Sequence, residues 1–210
     1  MNLCKKTYIV ETDIVATKDE KFTFDVTKRL KGVEGEKGVL VLLYPTRTFS
    51  NALSNDSTLN HIVSHMQDLG LNEIKILNLF STVTDGKLSA KGLNIDMQNL
   101  EYINSIMKSP TFKEYKFIIA WGSSLATSIA CKKTKAKILE MYKTLYPKGK
   151  VYQLISSNSK IRTDDVVHPL YLGIRDKNSL WSLAEYHISD KLVNTETKNP
   201  LKIVEKKGSV

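Results

Sequence analysis

Four short runs of the chain are dominated by aliphatic and aromatic residues and are well separated: Val39–Tyr44, Ile74–Phe80, Phe117–Trp121 and Val151–Ile155. Runs of this kind, without strict apolar–polar alternation, fit strands buried on both faces of a parallel sheet. Helical spacing lies between them. Leu59, Ile62, Val63, Met66 and Leu69 recur at three- and four-residue intervals, as do Leu100, Ile103 and Met107. Ile138, Leu139, Tyr142, Leu145 and Tyr146 mark a third helix, and Leu180, Leu183, Ala184 and His187 predict a last one. Strand–helix alternation predicts an α/β fold, a three-layer α/β/α sandwich around a four-stranded parallel sheet. Before it, residues 7–30 carry short alternating stretches such as Phe22, Phe24 and Val26, which predict an N-terminal hairpin. The glycine-punctuated stretch 31–38 reads as a loop. Residues 1–190 form one expected domain. The polar segment 191–210, with Lys198, Lys202, Lys206 and Lys207, reads as a lysine-rich tail.

Composition narrows the function classes. At 210 residues, 41% hydrophobic and 25% charged, the chain suits one soluble globular domain. It holds no run near the ~20 apolar residues of a membrane span, and its first residues lack a signal peptide's apolar stretch. Cys4 and Cys131 are its only cysteines, too few for a thiolate cluster or a disulfide framework, so a cytoplasmic location without membrane contact is expected. The net charge of +9 favours a polyanionic partner such as nucleic acid, although a solvated lysine-rich surface gives the same balance. His61 and His65 stand four apart on an expected helix, but no third ligand accompanies them. Neither a metal nor a cofactor is expected.

In an open parallel sheet the functional cleft lies beyond the carboxyl ends of the strands. Those ends deliver Tyr44-Pro45-Thr46-Arg47, then Asn78-Leu79-Phe80, then Trp121-Gly122-Ser123-Ser124, then Ser156-Ser157-Asn158, followed by the segment 166–172, VVHPLYL. Three of these segments, in order, resemble the uracil-DNA glycosylase superfamily. IKILNLFSTVT (74–84) is similar to its asparagine-ended strand, KFIIAWGSSLA (116–126) to its Trp-Gly-Ser segment, and VVHPLYL to its His-Pro-Ser-Pro-Leu motif. The chain resembles more closely still a group of small bacterial and mobile-element proteins of uncharacterised function. That group carries an Asn-Pro-Ser-Thr motif after strand one, an Asn-Leu-Phe, a Trp-Gly and a terminal His-Pro-Leu-Tyr.

The resemblance implies a base-binding cleft. Reading uracil needs a donor and an acceptor together, which an amide supplies, and the resemblance gives Asn78 that role. His168 stands at the family's catalytic histidine, where a donor stabilises charge on the departing base. Tyr44, Pro45, Thr46, Arg47, Phe80, Trp121, Gly122 and Ser123 become candidate ligand-binding residues. Leu170 and Tyr171 stand where the family inserts an apolar side chain into the duplex, and Arg175, Lys132 and Lys133 are candidates for phosphate. Each has an ordinary alternative: a strand-end asparagine, a loop histidine, core aromatics, a serine cap, a solvated helix face. Gly122-Ser123-Ser124 is expected to open a helix.

One departure stands out. The family's first motif supplies an aspartate or, in some branches, an asparagine before its proline, whereas Tyr44 precedes Pro45 here. A phenol is uncharged at pH 7 and cannot replace an anion. Asp56 lies nearby and is a candidate catalytic carboxylate, but its position also suits a helix cap. The expectation is a glycosylase-like protein that binds a nucleobase or nucleic acid, DNA before RNA, without standard uracil excision. Alternatives are an N-glycosidic hydrolase acting on another base or nucleoside through Thr46, Arg47 or Asp56, a serine hydrolase built on Ser123 or Ser124 with His168 and Asp164 or Asp165, and a protein-interaction module of a mobile element.

Overall fold

The computed structural model describes residues 3–84, 88–158 and 166–188. The tail 191–210, Lys160, Arg162, Asp164 and Asp165 lie outside the described residues. Strands β1 (Ile9–Ala16) and β2 (Thr23–Lys31) form the N-terminal hairpin. Strands β3 (Glu36–Leu42), β4 (Leu71–Asn78), β5 (Tyr115–Ile119) and β6 (Val151–Ser156) follow, and β7 (Trp181–Glu185) closes the order. Helices α1 (Ser57–His65), α2 (Met97–Lys108), α3 (Ile129–Leu145) and α4 (Pro169–Arg175) connect them.

All seven strands share one sheet, ordered β1-β2-β4-β3-β5-β6-β7. The sheet is therefore larger than the four strands expected. The pairs β4–β3, β3–β5 and β5–β6 are parallel, while β2 joins β4 and β7 joins β6 antiparallel. The hairpin thus extends the sheet at one edge instead of standing apart from it.

Helices cover both faces because each central strand is apolar on both. On one face Val39, Val41, Phe117 and Ile119 pack against Leu100, Ile103 and Met107 of α2 and Ile138, Leu139 and Tyr142 of α3. On the other, Leu40, Leu42, Ile74, Ile76 and Ile118 pack against Leu59 and Ile62 of α1 and Leu172 of α4.

Two expectations fail here. The segment predicted as a last helix, 180–187, is strand β7. Trp181, Leu183 and Glu185 pair opposite Ser156, Leu154 and Tyr152, so the edge of β6 gains backbone hydrogen bonds that a helix would leave unmade. The helix in this part of the chain comes earlier, at α4. Its start is set by Pro169 in the first turn, with His168 as N-cap, and its interior Gly173 lies flat against the His61 ring of α1. The second failure is at Gly122-Ser123-Ser124, which does not open α3. Four residues, 125–128, intervene, and the last of them, Ser128, caps the helix by accepting from the Cys131 amide.

Candidate functional site

A cavity of about 660 Å³ opens at the carboxyl ends of β3 and β4. That is where the topology of an open α/β sheet leaves room, since the connections from neighbouring strands diverge there. Tyr44, Pro45, Thr46 and Arg47 line it from the loop after β3, Asp56–Leu59 from the start of α1, Asn78 from β4, Ser124 and Leu125 from the loop after β5, and His168 and Leu170 from the start of α4. Val26, Leu42 and Ile76 form its apolar base.

Asn78 is the last residue of β4 and is 2% exposed. Its backbone is fixed from the other layer: Asn99 Nδ2 of α2 donates to the Asn78 carbonyl at 2.7 Å. The start of α2 is itself anchored to the strand end. Asp96 caps the Asn99 amide and also accepts from the backbone and hydroxyl of Ser81. The side-chain oxygen of Asn78 has no hydrogen-bond partner among the described residues. A buried amide oxygen left unpaired costs roughly 1–3 kcal/mol, and such an atom in a cavity wall marks an acceptor held for something else.

His168 caps α4 with Nδ1 accepting from the Leu170 amide at 3.2 Å. An imidazole nitrogen that accepts carries no proton, so the neutral ring holds its proton on Nε2 as a donor. Burial pushes the imidazole down to about 4, only partly opposed by the charge of Asp56, so at neutral pH the ring is uncharged. Gly122 lets it sit where it does. A Cβ on Gly122 would lie 2.9 Å from His168 Cβ, and the residue holds φ +66°, a conformation that favours glycine. The Trp-Gly and His-Pro segments are thus in direct contact. Lys135 reinforces the junction by donating to the Gly122 carbonyl at 3.1 Å, with its ammonium over the Trp121 ring.

Asp56 lines the cavity and caps α1. One oxygen accepts from the Leu59 amide at 2.8 Å and the other from the Thr46 hydroxyl. The Arg47 loop is held by the N-terminal hairpin. Thr23 of β2 donates to the Arg47 carbonyl at 2.7 Å. Glu20, in the β1–β2 turn, accepts from the hydroxyls of Thr48 and Ser50 and from the Ser50 amide.

Of the residues singled out from sequence, Tyr44, Pro45, Thr46, Arg47, Asp56, Asn78, His168 and Leu170 meet in the cavity. Phe80 and Trp121 do not: both are buried in the α2/α3 core, where apolar burial draws them. Gly122 acts by contact with His168, and Ser123 is exposed, its neighbour Ser124 lining the cavity instead. Tyr171 and Arg175 are exposed on α4, stacked on each other, and Lys132 and Lys133 are exposed on α3. His61 and His65 belong to packing between helices and sheet: His61 meets Gly173, and His65 stacks on Trp181 at 4.0 Å.

Sequence reasoning passed over Leu125 and Lys28. Leu125 lines the cavity at φ +60°, a strained conformation for a non-glycine residue. Lys28 is 2% exposed in β2 beneath the Arg47–Asp56 loop, with its ammonium on Thr12 Oγ1 and Asn55 Oδ1. Its signal was its register, since it shares a strand face with apolar Val26 and Leu30.

No curated protein and no solved structure matches the chain. Residues 27–170, more than half of the chain and the span that holds nearly all of the cavity wall, match the family model described as "Protein of unknown function (DUF1643)", and the chain belongs to that family.

Proposed function

We propose that the protein is a uracil-DNA glycosylase-like nucleobase-binding protein, with DNA as its preferred polymer, that does not carry out standard uracil excision. The observation that carries this reading is the pairing, in one cavity, of a buried Asn78 amide with an unspent acceptor and a neutral His168 with a Nε2–H donor. A pyrimidine edge presents an N–H between two carbonyl oxygens. The Asn78 oxygen suits the N–H and the His168 donor suits a carbonyl. Tyr44 supports loss of excision, because the wall carries a phenol where the resembling family holds its carboxylate. The exposed basic face of α3, including Lys132 and Lys133, suits a nucleic-acid backbone.

Incubation with uracil-containing single- and double-stranded DNA tests the reading. Binding is expected, weakened about tenfold or more by Asn78→Ala or His168→Ala, without base release. Efficient base release abolished by changing His168 would overturn the inactive reading, and absence of binding to any nucleobase ligand would overturn the whole of it.

Asp56 favours a second reading. Its carboxylate stands in the same wall and is hydrogen-bonded to Thr46, so a hydrolase for another N-glycosidic bond would have an anion available for a cationic sugar. Release of base from damaged-base oligonucleotides or free nucleosides, lost in Asp56→Asn, identifies that activity.

A further inference from the structure

Two cations, Arg47 in the cavity wall and Lys28 near it, have no ion-pair partner among the described residues. Arg47 lines the wall, its Nε is buried without a hydrogen-bond partner, and it has no ion-pair partner among the described residues. Lys28, 2% exposed, spends its ammonium on two neutral oxygens, those of Thr12 and Asn55. The carboxylate beside them, Asp56, already caps α1 and holds Thr46. Buried cations elsewhere in proteins are paired, because removing a charge from water costs several kcal/mol unless a counter-charge returns it. Burial and the nearby Arg47 charge both push the Lys28 ammonium down, and Asp56 opposes them only in part.

We infer that Arg47, backed by Lys28, is the subsite for the phosphate of a nucleotide whose base lies at Asn78 and His168. Phosphate fits better than a single point anion. The guanidinium offers a planar fork of donors suited to two phosphate oxygens, and Nε is one of the donors left unused. The backbone presenting the fork is held by Thr23 and Glu20, so the guanidinium is presented from a fixed loop. A cavity of about 660 Å³ has room for a base, a sugar and a phosphate together. This inference rests on the base-binding reading above for where the rest of the nucleotide lies. A free nucleotide and a phosphorylated strand end present the same group to Arg47.

Calorimetric titration of the full chain with inorganic phosphate, uridine, uridine 5′-monophosphate, and a uracil-ended oligonucleotide with and without its 5′-phosphate separates these cases. The phosphorylated member of each pair is expected to bind at least about tenfold tighter than its partner. Arg47→Gln is expected to erase that difference, and Lys28→Met to reduce it in protein whose thermal unfolding stays cooperative. A preference for the free nucleotide or for the oligonucleotide identifies the source of the phosphate. Phosphate binding lost in Arg47→Gln, with no binding of uridine, would keep the anion subsite and remove the base-binding reading. Equal affinity for phosphorylated and unphosphorylated ligands, or a preference that survives Arg47→Gln, overturns the inference.

Discussion

Strand β2 buries two opposite charges three residues apart, and their surroundings differ. Asp25, 1% exposed, accepts from the Tyr102 hydroxyl and the Thr27 hydroxyl and pairs with Lys75 at 3.4 Å. Burial first, and the neighbouring carboxylate second, push the Tyr102 phenol well above its ordinary range, which keeps it a donor. Lys28 is equally buried and meets only neutral oxygens. The first charge is completed by an ion pair, whereas the second has none among the described residues and only Asp56 acting on it through space. A buried group whose partners are all present belongs to the architecture. A buried charge near a cavity, with no ion pair of its own among the described residues, points toward a ligand.

The contrast gives an ordered set of expectations. Asp25→Ala strips a buried ion pair and strands Lys75 and Tyr102, so it should cost about 3–5 kcal/mol in urea unfolding. A much smaller loss would mean that the cluster is not the closed unit described. Gly122→Ala adds a methyl against His168 at positive φ and should cost about 2–3 kcal/mol, with a matching loss of ligand affinity. Retained stability with affinity lost would show that the loop yields and the imidazole moves.

Stability also depends on pH through His168. His168 has its pKa lowered from 6.5 to about 4 on folding, so the unfolded chain binds the proton more readily. Its contribution is therefore complete above pH 6.5 and declines as pH falls from there towards 4. On acidification across that window the wild type should lose about 2 kcal/mol more than His168→Asn, which keeps a capping side chain but does not titrate. Parallel pH profiles of melting temperature for the two proteins would refute this. The smallest effect belongs to Lys28→Met. Because the ammonium has no ionic partner to lose, stability should change by no more than about 1 kcal/mol, in sharp contrast to Asp25. A loss as large as that of Asp25→Ala would show that Lys28 is already compensated.

The central sheet was legible because Val39–Tyr44 and its counterparts are buried on both faces, which writes burial directly into composition. The carboxyl ends followed from topology, and with them Tyr44, Arg47 and Asn78, whereas His168 was found through the resemblance of its His-Pro segment. The chain's last elements were harder. Leu180, Leu183, Ala184 and His187 fit a helical spacing while Trp181, Leu183 and Glu185 fit an alternating one, and what decides between them is the open edge of β6, a tertiary fact. Helix α4 has only 7 residues, begins at a proline and contains a glycine, so its stability comes from packing on α1 and not from propensity. Lys28 escaped notice because a lysine within a hairpin strand ordinarily reaches solvent. Only the loop carrying Asn55 folding over it makes it a buried charge.

The clasp of Glu20 and Thr23 on the 47–50 loop bears on where this domain can be cut. Both residues precede the span matched by the family model, which begins at residue 27. A protein trimmed to the matched residues would keep Asn78, His168 and Arg47 and still lose the anchors that hold Arg47 in place, along with β1 and the first half of β2. In recombinant work or domain fusion, the smallest unit expected to retain the cavity's geometry therefore begins with the hairpin and not at the family boundary.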